Sequence, residues 1–291
     1  MKPSQSAPLP DSAASLELIA APLVRAALLE DFGRGGDVTA DAIVDPEQRA
    51  RARIVARREG IVAGLDVALL AFSLLDAGVE FVRLAKDRDA IAAGGVIAEV
   101  RGRARTLLTG ERTALNLLSH LSGIATATRR LVDLVAGTHA QIADTRKTTP
   151  GLRTLERYAV RCGGGRNHRF GLDDGILIKD NHLAIAGSIA AAVAAARLRA
   201  GHMVKVEVEV DTVEQLREAL ETPIDAVLLD NMTVAQLREA VEIVNARKIT
   251  EASGGVTDAN VAAIAATGVD IVSVGWLTHS APALDISLEI F

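Results

Sequence analysis

Val204-Lys205-Val206-Glu207-Val208-Glu209-Val210-Asp211 is the stretch whose reading decides the fold. A β-branched residue at every second position predicts a strand, and the acid that follows it predicts a functional tip. Working outward, similar short apolar runs occur at Gln141–Asp144, Gly175–Ile178, Ala226–Leu229, Lys248–Glu251 and Ile271–Val274, each followed by a helical stretch. Successive βα units imply parallel strands, in a barrel or a doubly wound sheet. The tips decide between the two. They read Asp144-Thr145-Arg146-Lys147, Lys179-Asp180-Asn181-His182, Glu209-Val210-Asp211, Asp230-Asn231, Ser253-Gly254-Gly255 and Gly275. Ionisable or glycine-rich chemistry after nearly every strand suits a barrel, whose strand ends converge on one mouth. A Rossmann sheet would concentrate its signal in a first glycine loop, and no G-x-G-x-x-G opens a helix here.

Upstream the style differs. Residues 16–31 predict a helix with Leu16, Ile19, Leu23, Ala27 and Leu28 on its apolar face, followed by the turn-rich Gly33–Asp37. Residues 50–105 read as an α+β region, with alternating runs at Ala52–Ala56 and Val96–Val100 around a helix at 65–76. Residues 111–136 predict helical packing material broken near Gly123. Met1–Ala14 lacks an apolar core behind a basic start and is expected to be a frayed tail, not a secretory signal. Ala184–Ala196 is too short and too alanine-rich to span a bilayer and fits a helix packed on a barrel.

The chain of 291 residues is long enough for one large α/β domain with a smaller companion. Aromatic residues make up only 2%, so the core must be aliphatic. Cys162 is the single cysteine, which excludes an intrachain disulfide and fits a reducing cytoplasm. A net charge of −5 argues against general nucleic-acid affinity. Yet Arg146–Arg169 holds seven Lys or Arg (Arg146, Lys147, Arg153, Arg157, Arg161, Arg166, Arg169) against Glu156 alone. One concentrated basic segment in an acidic protein points to a small, highly charged anion.

Arg146, Lys147, Arg169 and Lys179 supply the donors for a dianionic substrate, since a guanidinium fork matches carboxylate or phosphate oxygens. Ser253-Gly254-Gly255 and Ser273-Val274-Gly275 can present unobstructed backbone N–H groups at helix N-termini to a phosphate. Glu209 and Asp230 end neighbouring strands and could meet ribose hydroxyls, a magnesium ion or positive charge on a ribosyl carbon, or else form salt bridges with Lys147 or Lys179. His168 and His182 suit hydrogen bonding better than zinc, and Glu207 could pair elsewhere.

The run Asp144–Arg153 (DTRKTTPGLR), followed by Tyr158–Gly165 (YAVRCGGG) and Asn167-His168-Arg169, closely resembles the quinolinate phosphoribosyltransferase family, also called carboxylating nicotinate-nucleotide pyrophosphorylases. Gly36–Thr39, Glu111–Asn116, Leu121–Thr126, Leu177–His182, Glu207–Val210, Leu228–Met232 and Glu251–Val256 extend the likeness over most of the chain. The resemblance implies an N-terminal α/β sandwich over 1–124, an incomplete TIM-like α/β barrel of fewer than eight strands over 125–275, and a segment 276–291 returning to the first domain. It implies a dimeric unit, with room for a higher oligomer, acting on quinolinate and phosphoribosyl pyrophosphate with Mg2+ accompanying the donor; the cysteine count, charge and hydropathy add a cytoplasmic setting and no nucleic-acid or membrane partner. By the same likeness the pyridine acid is held by Arg146, His168, Arg169 and Lys179, with Thr145 in the same loop and Lys147 near both substrates. Arg112 enters from the neighbouring subunit. Glu209 and Asp230 face the ribose, and Ser253–Gly255 with Ser273–Gly275 take phosphate. Lys147, Glu209 and Asp230 are the catalytic candidates.

The chain departs from the family where Ser119-His120 replaces a pattern that often holds an arginine. It also lacks the paired carboxylates and Thr-Gly-Gly loop of purine-type phosphoribosyltransferases. The alternatives are a barrel Schiff-base lyase using Lys147 or Lys179, and a molybdenum-transport-associated relative with another ligand.

Overall fold

Local sequence sets where each element starts and stops. The computed structural model describes residues 13–291, so most of the tail expected over 1–14 lies outside the described residues. The helices are α1 (Ala13–Phe32), α2 (Val38–Ile43), α3 (Leu65–Leu75), α4 (Ala104–Leu134), α5 (Arg153–Cys162), α6 (Asp180–Ala186), α7 (Ile189–Arg199), α8 (Val213–Leu220), α9 (Val234–Val244) and α10 (Val261–Ala265). The strands are β1 (Arg49–Ala56), β2 (Gly60–Ile61), β3 (Glu80–Arg83), β4 (Ala90–Ile91), β5 (Val96–Arg103), β6 (Gln141–Ala143), β7 (Ile176–Ile178), β8 (Val206–Val210), β9 (Ala226–Asp230), β10 (Ile249–Ser253), β11 (Ile271–Ser273) and β12 (Ile286–Ile290). Thr212 and Thr233 begin α8 and α9 directly after their strands, each in a capping box with the glutamine three residues on.

The chain forms two compact units, one running to Gly123 and resuming at Pro282–Phe291, the other Ile124–Ala281. In the first, β12-β1-β5-β3 form an antiparallel sheet, and β12 pairs along β1 from Ala52↔Ile290 to Ala56↔Ile286. Its buried face includes Ala52, Ile54, Ala98 and Val100, and α3 is buried from Leu65 and from Val67 to Phe72. The expected boundary after 275 falls instead after Ala281. The reason is a short 3-10 turn, Gly275–Thr278, which buries Leu277 and Thr278 and donates from Thr278 Oγ1 to the Lys147 carbonyl at 2.7 Å.

In the second unit six parallel strands lie in the order β6-β11-β10-β9-β8-β7. The last strand in sequence returns beside the first, which is how a barrel is ordered. Closure is incomplete. The segment after α5 joins β6 by one bridge, Ala143↔Arg166, and no ladder among the described residues links it to β7. Strand parity sorts the side chains: Val206, Val208, Val210, Val227, Leu229, Ala252 and Val272 pack in one core with Leu131, Val193, Leu216, Leu237 and Val261 of the helices. Glu207 and Glu209, on the other parity, face away from that core.

Two expectations are corrected. The buried stripe of α1 is Ala20, Val24 and Leu28, while Ile19 is exposed, so the apolar face is rotated by about one residue. Helix α4 runs without a break through Gly123. This glycine is there for proximity, since a Cβ would sit 2.2 Å from the Pro282 carbonyl oxygen. Among the described residues no single helix is long and apolar enough to cross a membrane; α6 and α7 are bent by 94° at their break.

Gly123→Ala should therefore destabilise the protein by about 1–3 kcal/mol through overpacking, despite its better helix propensity. Gly201, with nothing within 4 Å of an added Cβ, is the control and should tolerate alanine. Urea denaturation of both variants checks this, and equal midpoints would contradict it.

Candidate active site

The strand ends bring together most of the residues singled out above. Lys179, just past β7, forms an ion pair with Glu209 of β8. Asp230 ends β9 and accepts from Asn231 Nδ2 at 2.6 Å. Asn231 adopts a left-handed φ of +53° and donates its amide to the Ser253 carbonyl at 2.9 Å. The glycines make room for neighbours. A Cβ on Gly254, at φ +96°, would meet Asn231 Oδ1 at 2.1 Å, and one on Gly275 would meet Lys147 Cδ at 2.9 Å. Lys147 thus passes over Gly275, and its amide donates to Thr145 Oγ1 at 3.0 Å. The expected helix N-termini are corrected: Gly254-Gly255 sit in a turn well before α10 begins at Val261, and Gly275 opens only a 3-10 turn.

Beneath the mouth lies a buried frame. Asp144 is wholly buried and accepts from the His168 amide at 2.8 Å, Arg157 Nη1 at 3.3 Å, and Asn167 Nδ2. Arg157 also donates to the carbonyls of His168 and, at 2.9 Å, Arg169. Burial raises the Asp144 pKa to about 6 against the pull of Arg157, and lowers that of Arg157. Arg157, one of the seven cations of the basic run, is therefore a strut that fixes the His168-Arg169 backbone. Arg169 in turn donates from Nη1 to the Gly175 carbonyl at 2.8 Å. Its pKa is lowered by burial and then by the charge of Arg146, and the Nε atoms of both arginines are buried without a partner. Two guanidiniums held close, each with an unused donor, are organised for an anion.

His168 has both ring nitrogens engaged. Nδ1 accepts from the Arg169 amide at 2.7 Å, while Nε2 lies 3.3 Å from Glu207 and 3.5 Å from Glu251. Burial opposes a charge on the ring, but the hydrogen bond to Glu207 and the charges of Glu251 and Glu207 outweigh it and raise its pKa. A second proton, on Nδ1, would face the Arg169 N–H; the two acids favour the Nε2–H. The same three side chains could by position hold a metal ion. With Nδ1 accepting an N–H, however, a metal on Nε2 would require an imidazolate, and the geometry favours a proton. Glu251 is 2% exposed and its Oε1 has no partner; burial and the charge of Glu207 raise its pKa to about 7. A cavity of about 630 Å³ adjoins this layer, lined by Gln141, Ile176, Ala226, Ile249 and Ile271 at or near the strand beginnings.

Arg112 is not in this unit. It lies on α4, exposed, and pairs with Glu111 at 3.2 Å. His182 serves the backbone, its Nδ1 accepting from the Lys179 amide at 2.9 Å. Asp144, Arg157, Asn167 and Glu251 were not singled out from sequence. Parity could have flagged Glu251, which stands two residues before Ser253 as Glu207 stands two before Glu209.

Comparison with known proteins places this site in a family. The models for the N-terminal and C-terminal domains of quinolinate phosphoribosyl transferase match residues 37–122 and 124–289. The chain belongs to the quinolinate phosphoribosyl transferase family. It is 51% identical over 262 residues to the probable carboxylating nicotinate-nucleotide pyrophosphorylase of Bacillus subtilis, covering 90% of each chain. The corresponding Mycobacterium leprae protein is 46% identical over 273 residues, covering 92% of this chain and 95% of that one. Among solved structures, NadC from Streptococcus pyogenes is similar with a TM-score of 0.91 and 40% identity, covering 94% of this chain and 97% of that one. The nicotinate-nucleotide pyrophosphorylase of Francisella tularensis gives 0.90 at 40% identity, with coverage of 94% and 97%.

The buried acids also contribute to the pH dependence of stability. The folded pKa values of Asp144 and Glu251, about 6 and about 7, lie above their ordinary 3.8 and 4.5. Between those limits the folded chain keeps protons that the unfolded chain releases, so this stability is full below about pH 4 and is lost as pH rises through 6 and 7. Glu251→Gln should flatten the upper part of that fall. Urea denaturation from about pH 5 to 8 checks it, and parallel curves for both proteins would contradict it.

Proposed function

We propose that the chain transfers the phosphoribosyl group of phosphoribosyl pyrophosphate to quinolinate with loss of carbon dioxide and pyrophosphate, giving nicotinate mononucleotide for NAD synthesis. The observation that carries this reading is the pair Arg146 and Arg169, close enough for the charge of Arg146 to lower the pKa of Arg169, inside a scaffold of this family. Arg146, Arg169 and Lys179 clamp the two carboxylates of the pyridine acid. Lys147, laid over Gly275, reaches toward the donor phosphates, which the Ser253–Gly255 and Ser273–Gly275 turns receive, the Val274 N–H itself being committed to the Ala143 carbonyl.

As the bond from the ribosyl carbon to pyrophosphate loosens, positive charge develops on that carbon, and Glu209 and Asp230 stabilise it. Glu209 is engaged by Lys179 before substrate arrives, so a carboxylate that takes Lys179 frees Glu209 for the ribose. The pyridine nitrogen attacks, and the resulting pyridinium draws the electron pair of the adjacent C2–carboxylate bond, releasing carbon dioxide; a proton replaces it at C2. Glu209 and Asp230 are oxygen donors of the kind Mg2+ takes, and Mg2+ arriving with the donor would neutralise the leaving pyrophosphate. A Schiff-base lyase using Lys147 or Lys179 fits less well, because the matching family models and relatives are named as phosphoribosyl transferases and nicotinate-nucleotide pyrophosphorylases. The lone, buried Cys162 is consistent with a cytoplasmic setting.

Purified protein with quinolinate, phosphoribosyl pyrophosphate and Mg2+ should form nicotinate mononucleotide. Nicotinate leaves part of the clamp unpaired, so kcat/KM should favour quinolinate by on the order of 100-fold or more. Comparable values would overturn the assignment of the clamp. For Arg112 the proposed role is in the partner subunit's site of a homodimer. Arg112→Ala and Lys147→Ala chains, each inactive, should on mixing recover about a quarter of full activity, because half the dimers are mixed and each has one intact site. Inactive mixtures with subunit exchange verified by mass spectrometry would remove Arg112 from that role.

A further inference from the structure

Both ring nitrogens of His168 are engaged by protein groups before any ligand is bound. Nδ1 receives the Arg169 amide at 2.7 Å, and Nε2 lies between the carboxylates of Glu207 and Glu251 at 3.3 and 3.5 Å. We propose that Glu207 and Glu251 are positioning residues for the dicarboxylate clamp, acting on Arg169 through His168.

The placement supports this. Glu207 lies on β8 and Glu251 on β10, with β9 between them. Glu207 is level with Ala226 of β9, whose small side chain leaves room beside it, while Glu251 is level with Leu228; the two acids reach the ring from the flanking strands. The segment they hold is the weakly paired side of the barrel, tied to β6 by the single bridge at Arg166. Along it, Asp144 and Arg157 fix the backbone of His168 and Arg169, but they do not touch the imidazole. Ring orientation is set by Glu207 and Glu251, and the ring then fixes the Arg169 amide. The charged groups acting on this cluster are Arg169, Lys179 and Asp144, with Arg146 and Asp174 acting on Arg169. A buried group of two acids and one imidazole stabilises a fold poorly compared with an apolar filling, which favours a role in setting direction.

The inference rests on the transferase reading, and binding measurements separate the two. Calorimetry with quinolinate, and separately with phosphoribosyl pyrophosphate and Mg2+, is carried out on wild type, Glu207→Ala, Glu207→Gln and Glu251→Gln. Glu207→Ala should weaken quinolinate by roughly tenfold or more, as expected of a displaced clamp, while donor binding stays within about twofold. Glu207→Gln should restore much of the loss, because its carboxamide oxygen still accepts from Nε2. Glu251→Gln should shift the pH dependence of quinolinate binding near neutrality. Thermal unfolding confirms that each variant is folded. Unchanged quinolinate affinity in folded Glu207→Ala, or equal loss for both ligands, overturns the positioning role and leaves the transferase reading standing. Wild type that binds no quinolinate overturns the transferase reading and the positioning role together.

Discussion

A fully buried carboxylate, Asp144, is the constraint on which the rest of the site depends. A charge without access to water must be met by donors, and here it is met by the His168 amide, Asn167 and Arg157. Meeting it draws the chain after α5 onto the end of β6 and sets the direction in which Arg169 leaves. Arg157 contributes a second tie by donating to two successive carbonyls. Removing either partner leaves the other buried and unmatched, which is more damaging than losing an exposed ion pair. The cationic face of the pocket is thus built upon a hidden anion.

Most of the barrel was legible because its signals are local. Alternation marked β8, and short apolar runs each followed by a helical stretch marked its neighbours. The strand ends were legible too, since their chemistry is polar where the strand bodies are not. Burial was not legible. Arg157 and Arg169 look alike in a basic run, yet one faces two backbone carbonyls and the other shares its field with Arg146. Which arginine belongs to the frame and which to the clamp depends on the wholly buried Asp144, thirteen residues from Arg157 in sequence. Glu251 was hidden for a similar reason: its partner His168 comes from a different part of the barrel.

The glycines give the same lesson in the opposite sense. Gly254 and Gly275 stood out as phosphate turns, and the structure adds that each is a space reserved for a neighbour, Asn231 in one case and Lys147 in the other. The two uses are compatible, because a backbone without a side chain admits both a ligand and a crossing residue. Gly123 was misread as a helix breaker because a strand-bound segment passing 2.2 Å from its missing Cβ leaves no trace in local sequence.

The unclosed side of the barrel has a mechanical consequence. Arg169 stands on one lip of that seam and Lys179 caps β7 on the other, with the Arg169–Gly175 hydrogen bond near its base. A rigid dianion grasped by both residues would act as a rivet, fastening two edges that no strand ladder joins. On the proposed clamp the ligand would serve as a removable part of the wall, and the barrel would be most nearly whole when occupied.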